Sequence, residues 1–245
     1  MKSLLFVCLL LVFPGWNIVS PDGVCAAGDY AEIQVVDGGS VVGNVKLGGY
    51  STALSLDLSG GMELRKFPRA TSEKIVISGM NNGIKSAVVS IKDIPKGKKR
   101  IVPEIRPIID HQKNSFIPRI TSVIKGTTVD ILNGDESMHT VHSQSVKNQP
   151  FNHGMTFKQR LSKVFVAPEI VKISCDIHKG AYAWIVVQDN PYFDVTDRNG
   201  YFEICDIPAG SYTFQVWHEE LGNLEKEVTI DSNKITTIEF VYDRD

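Results

Sequence analysis

Apolar and polar positions alternate along most of this chain with a period of two. Ala31-Glu32-Ile33-Gln34-Val35-Val36 alternates until Gly38-Gly39 breaks it, and Ser40–Leu47 alternates again up to Gly48-Gly49. Later segments repeat the pattern: Lys74–Ser78, Ala87–Ile91, Thr128–Leu132, Val164–Val166, Val171–Ser174 and Ala183–Val187. Each is short, rich in Val and Ile, and bounded by Gly, Pro, Asn or Asp, which is the signature of half-buried strands. No longer window carries a sustained helical period of about 3.6 residues, so long helices are not expected. Many short strands at regular spacing predict an all-β protein built as a sandwich or barrel. Leu54–Pro68 is the least regular stretch, readable as a loop or as an irregular strand pair.

The pattern changes character near Gln188. Asp189-Asn190-Pro191 is strong turn chemistry. Beyond it, Asn199-Gly200 between two apolar runs predicts a hairpin, and Pro208-Ala209-Gly210 a second turn. Val228–Ile230 and Ile235–Val241 then read as closing strands. Residues 189–245 are therefore expected to form a small antiparallel β-sandwich of their own. Residues 28–188 are expected to form the larger sandwich. Within them, residues 28–117 either lend it their strands, the favoured reading, or form a separate β subdomain.

The first segment reads as an address. Lys2 precedes an apolar run from Leu4 to Phe13, too short for a bilayer span of about 20 residues. Val24-Cys25-Ala26-Ala27 supplies a small-residue end, so residues 1–27 are expected to be a cleaved signal peptide, with no membrane span afterwards. Cleavage would remove Cys8 and Cys25, leaving Cys175 and Cys205 of the four cysteines. The expected compartment is oxidising, where those two could pair as a disulfide. Against that pairing, Cys205 alternates with inward-facing Phe202 and Ile204 and so should face outward on the other sandwich.

The 245 residues carry a formal net charge of −2, which excludes the basic field of a nucleic-acid partner. The run Lys96-Gly97-Lys98-Lys99-Arg100 is read as a solvated turn. There is no Gly-rich phosphate loop, no Gly-x-Ser-x-Gly and no His-Glu-x-x-His, so hydrolase and nucleotide chemistry have no support and the protein is not expected to be an enzyme.

Chemistry concentrates between Thr128 and Val187. The strand ending at Asn133 leads through Gly134-Asp135-Glu136-Ser137 into Met138-His139-Thr140-Val141-His142. A later strand ends in Cys175-Asp176-Ile177-His178. One early histidine with Cys175 and His178 makes a thiolate and two imidazoles, a set suited to copper. His139 and His142 are three apart, so on a strand they face opposite ways and only one joins the set. His139 is favoured; His142 is expected at the surface or behind the ligands. A ligand imidazole needs its other nitrogen held, a role open to Asn133 or a backbone carbonyl. His111 and His218 have no spaced partners and read as surface residues. Trp184 and Trp217 read as packing in a core or domain interface.

These residues resemble a cupredoxin, of the amicyanin and plastocyanin type. Asn133…His139-Thr140-Val141-His142 is similar to the family's Asn…His-Asn-Val-His pattern, and Cys175-x-x-His178 to its copper loop. Phe193–Val216 resembles a carboxypeptidase regulatory-like domain, through Thr196-Asp197-x-x-Gly200-x-Phe202 and Pro208-x-Gly210-x-Tyr212. The pairing resembles exported bacterial proteins described as methylamine-utilisation-like, as do Phe151-Asn152-His153-Gly154-Met155 and Val216-Trp217-His218-Glu219. The resemblance covers most of residues 102–216. It implies a cupredoxin-like Greek-key β-sandwich, one copper ion, and His139, Cys175 and His178 as equatorial ligands.

The copper loop departs from the family at one place. Amicyanin-like loops read Cys-x-x-His-Pro-x-Met with Met as weak axial donor; here Ala181 holds that place and cannot coordinate. Three outcomes stay open: a three-ligand copper site, a site completed by the Met155 sulfur, the Met138 carbonyl or water, or a site without metal. The resemblance implies single-electron transfer with a periplasmic redox protein or cell-envelope component, in a periplasmic or secreted bacterial protein. The alternatives are copper delivery and a metal-free interaction module.

Overall fold

A computed structural model describes residues 30–48 and 82–243. The signal-peptide expectation for 1–27, the ambiguous stretch Leu54–Pro68 and the strand expected at Lys74–Ser78 lie outside the described residues. Every regular element among the described residues is a strand. In chain order these are β1 (Ala31–Glu32), β2 (Gly39–Leu47), β3 (Val88–Ile91), β4 (Lys96–Gly97), β5 (Ile108–Gln112), β6 (Ser115–Ile117), β7 (Ile120–Ile124), β8 (Thr127–Asn133) and β9 (His139–Gln144). They continue as β10 (Asn152–Met155), β11 (Arg160–Phe165), β12 (Glu169–Ser174), β13 (Tyr182–Gln188), β14 (Phe193–Val195), β15 (Tyr201–Ile207), β16 (Gly210–His218), β17 (Gly222–Ile230) and β18 (Ile235–Tyr242). No helix among the described residues is long and apolar enough to cross a membrane.

β5 to β13 make one two-sheet sandwich. One sheet runs β10-β9-β12-β13-β7, the other β11-β8-β5-β6. β7 runs parallel to β13 and β5 parallel to β8; the remaining pairs are antiparallel. The alternation read from the sequence is the alternation that is buried: β9 and β12 each send every second side chain into the layer between the sheets. Val129, Ile131, Val141, Ile173, Ala183 and Ile185 are fully buried there. Each buried Val or Ile side chain contributes about 1.5–3 kcal/mol relative to exposure.

The second sandwich is assembled from both ends of the chain. Its sheets run β14-β3-β16-β17 and β15-β2-β18. β2 lies between β15 and β18, and β3 between β14 and β16, so a central strand of each sheet comes from before residue 92. This corrects two expectations. Of residues 28–117, only the part from Ile108 lends strands (β5 and β6) to the larger sandwich; β2 and β3 do not. Residues 189–245 are also not a self-contained sandwich, since β15 and β18 meet only through β2. The parallel β2–β18 ladder buries Val41, Val45 and Phe240 in a shared core, and that shared burial decides the pairing.

The Asn199-Gly200 turn forms, but not as a hairpin. Asp197 Oδ1 accepts from the Asn199 and Tyr201 amides at 2.7 and 2.9 Å, and Gly200 takes φ +76°. The flanking strands β14 and β15 then join opposite sheets, β14 pairing with β3 and β15 with β2.

The sandwiches meet along a small apolar seam of Val88, Ile120 and Val186 with Trp184 and Trp217 against it. The two indoles pack edge to face at 5.5 Å. Glu219, its side chain buried, binds Arg119, and its Oε2 accepts from Trp184 Nε1 at 2.8 Å. Both tryptophans are interface residues, as expected. His218 corrects a further expectation: it is buried at 2% exposure, its Nδ1 accepting from the Glu220 amide at 3.2 Å.

Candidate metal centre

The site sits at one end of the larger sandwich, where β9 begins and β12 ends. His139 is the first residue of β9 and points inward; Cys175 follows the last residue of β12 and is buried. The loop from Cys175 returns to β13 through two backbone bonds, Cys175 N–H to Ala181 O at 3.0 Å and Ala181 N–H to His178 O at 3.2 Å. Gly180 supplies the positive φ of +94° that closes this turn. The short loop folds His178, half-buried, back over Cys175.

The three side chains converge. His139 Nδ1 and His178 Nδ1 are 2.9 Å apart, and Cys175 Sγ lies 3.9 Å from the first and 3.7 Å from the second. With metal–nitrogen bonds near 2.0 Å and metal–sulfur bonds near 2.3 Å, a trigonal site has nitrogen–nitrogen edges of about 3.5 Å and nitrogen–sulfur edges of about 3.8 Å. The sulfur edges already match; the nitrogen edge opens by about half an ångström on binding. The donor set fits copper, soft sulfur beside imidazole in a geometry both oxidation states tolerate.

The surroundings hold these groups in ligand form. The Asp135 Oδ2 carboxylate lies 3.0 Å from His139 Nε2, so that nitrogen donates and Nδ1 keeps its lone pair toward the site. Asp135 is itself fixed by the Lys113 amide at 2.9 Å, which heads the causes holding its carboxyl below the usual range. Burial pushes the Cys175 thiol up. The Thr140 amide, at 3.4 Å from Sγ, then the His178 backbone, His139 and the Thr140 hydroxyl overcome this and leave it below the ordinary thiol value. A thiolate is the form that binds metal.

Among the remaining sequence candidates, Asn133 does not hold the His139 ring. Its Nδ2 donates to the Ser137 and Met155 carbonyls, at 2.8 and 2.9 Å, and its Oδ1 accepts from the Asp135 amide. It braces the turn that carries Asp135, and Asp135 has the role the sequence had offered to Asn133. His142 faces away from the site and pairs with Asp176 at 3.1 Å. Met138 is exposed. Met155 is buried and stands directly across from His139 in the β9–β10 register, so both side chains project from the same face. It shares a core with Cys175 and the buried Ala181.

No family model and no curated protein matches this sequence. Solved structures do resemble part of it. A purple cupredoxin from Nitrosopumilus maritimus aligns at 22% identity over 34% of this chain and 99% of its own, with a TM-score of 0.31. A reduced amicyanin variant aligns at 21% identity over 36% of this chain and 86% of its own, with a TM-score of 0.33. A copper-containing nitrite reductase from Thermus scotoductus SA-01 aligns at 20% identity over 37% of this chain and 25% of its own, with a TM-score of 0.33.

Two residues behind the ligands escaped the sequence reading. Asp135 looked like one more acidic turn residue; its position four before His139 was the available signal. His111, read as a surface histidine, is fully buried on β5. Its ring stacks on Phe116 at 4.1 Å between centroids and packs on His139 at 3.7 Å. Burial, then the His139 ring, pushes its pKa down to about 4. Cys175 and Cys205 are free thiols in different sandwiches, so the disulfide does not form here. Cys205 Sγ donates instead to Glu203 Oε1 at 3.3 Å.

Proposed function

We propose that this chain is an exported copper protein that passes single electrons to or from a periplasmic redox protein or a cell-envelope component. The observation that carries the reading is the His139–Cys175–His178 triangle, with edges of 2.9, 3.7 and 3.9 Å. Copper bound there supplies one-electron redox chemistry. The chain's own residues hold the donors in place as the charge changes: Asp135 orients His139, the Thr140 amide faces the sulfur, and two packed sheets resist rearrangement. Ala181 leaves the axial place without a loop donor. His178 is half-buried beside the exposed Ile177, and Met138 beside His139 is exposed, which gives the ligand end an apolar face for a partner.

Copper delivery is the second reading. Its support is the same half-buried His178, on a loop stiffened by neither proline nor an axial methionine, which an acceptor's ligand could displace.

The test is to load the purified chain with Cu(II) and record visible and paramagnetic-resonance spectra of wild type and Cys175→Ser. An intense thiolate-to-copper band that vanishes in the variant is expected. Tight Cu(I) binding without that band supports delivery. Failure to bind copper in either state sinks both and leaves a metal-free interaction module.

A further inference from the structure

We propose that His111 is a fourth ligand of this centre, supplying from β5 the donor that Ala181 cannot. The inference rests on the metal-site reading above and deepens it. His111 is 0% exposed, and neither ring nitrogen has a hydrogen-bond partner. Both ring nitrogens of an imidazole are polar, and burying them unpartnered is unfavourable unless something absent from the free chain engages them. A metal ion does so at one nitrogen.

The position is right for that role. One ring nitrogen of His111, one of His139 and the Cys175 sulfur all lie within 4.8 Å of one another. Donors on one tetrahedral ion, each at about 2.0–2.3 Å, stand about 3.3–3.5 Å apart, so the set closes by up to about 1.5 Å through movement of the His111 ring. Two features aim the ring. Phe116, across the β5–β6 turn, stacks on it at 20°, and the pairing of His111 with Asn133 fixes β5 against the strand that leads to the ligand loop. A packing role alone would suit an apolar ring at least as well, since it would bury no nitrogen.

A neutral nitrogen donor is harder than a thioether and would favour Cu(II) over Cu(I) relative to a methionine-ligated centre. The same four donors suit Zn(II) or Cd(II), which gives a probe that involves no redox step.

The test is to bind an NMR-active cadmium isotope to the purified chain with nitrogen-labelled histidine and count the imidazoles scalar-coupled to the metal. Contacts to the Phe116 ring identify the His111 resonances. Coupling to His139, His178 and His111 is expected. In His111→Phe, which keeps an aromatic ring in the stack, one coupling should vanish and cadmium affinity should fall more than about tenfold, the low end for losing even an outer partner. Coupling to His139 and His178 alone overturns the role of His111 and leaves the proposed function standing. Coupling to His111 and His139 without His178 sustains the inference but replaces a member of the proposed set. No cadmium bound overturns both. The count in wild type needs no variant, so a His111→Phe chain that fails to fold does not shelter the proposal.

Discussion

Nδ1 of His139 stands 2.9 Å from Nδ1 of His178, and the opposite nitrogen of His139 faces the Asp135 carboxylate at 3.0 Å. The carboxylate accepts only, so His139 donates through Nε2, and its Nδ1 is an acceptor. In the metal-free chain His178 must then donate through Nδ1. Metal binding at this pair would move the His178 proton from Nδ1 to its own Nε2 with no net release, while the Cys175 thiol would give its proton up to solvent. Metal affinity is therefore expected to rise with pH, with proton release on binding, measurable by comparing Cd(II) titrations in buffers of different ionisation enthalpy. Affinity flat with pH would show that the Cys175 thiol proton is not displaced.

Asp135→Asn tests what sets the tautomer. The amide can present a donor to His139 Nε2, which moves the ring proton onto Nδ1 and blocks the ligand. Metal affinity is expected to drop by about 10–100-fold with the fold intact, read by competition against a chelator. Asp135 is not part of either hydrophobic core, so circular dichroism should be unchanged. An affinity equal to wild type would remove Asp135 from the site.

Acid should loosen the larger sandwich through Glu169. Burial pushes this carboxyl up, but the Ser145 hydroxyl, the Val146 amide, Asn148 and the Lys147 amide together bring it down to about 2 from an ordinary value of 4.5. A depressed carboxyl stabilises the fold above its unfolded pKa, and that stability is lost as pH falls through the folded one. The contribution is thus complete above about pH 4.5 and fades toward pH 2. Glu169→Gln should flatten the acid limb of a stability–pH profile over that window, and an unchanged limb would reject the assignment.

Glu219 joins the two sandwiches. Glu219→Ala leaves Arg119 and Trp184 Nε1 without their shared acceptor. A hydrogen bond to a charged group is worth about 1.5–3 kcal/mol, and a loss of this order is expected in urea unfolding. Limited proteolysis should also begin near Gln188, where the chain passes between the sandwiches. A variant as stable as wild type would show that the apolar seam alone holds them.

Residues 189–245 expressed alone should show no cooperative unfolding, because β15 and β18 are then without β2, and β14 and β16 without β3. Gly43→Ala tests the same joint in the full chain. A Cβ there would sit 2.2 Å from Ile238 O and 2.8 Å from the Phe202 ring, and overpacking of this kind costs about 1–3 kcal/mol. A folded, cooperatively melting fragment would refute the shared architecture.

Much of the centre was legible in residue order. Strand alternation separated His139 from His142, and the structure turns them to opposite faces. Cys175-x-x-His178 lies in one tight loop, where local spacing alone brings sulfur and imidazole within 3.7 Å. His111 was not legible. It reaches His139 only because β5 runs parallel to β8, and such a crossover pairing leaves no mark on the residues beside it. Asp135 was hidden for a related reason, since an acidic residue in a turn is ordinary until a ring nitrogen is found facing it.

By itself the sequence determined the all-β class, the positions of strands such as β2, β8, β12 and β13 and the Cys-x-x-His loop, because each follows from periodicity or spacing within a few neighbours. Tertiary structure alone decided that β2 and β3 belong with the last strands of the chain, and that His111 lies against the ligands. Both depend on long-range pairing, which is settled by which apolar faces bury best together and not by any local preference. The protein's candidate chemistry is thus written in one short loop, while the partners of that loop are chosen by the packing of two sheets.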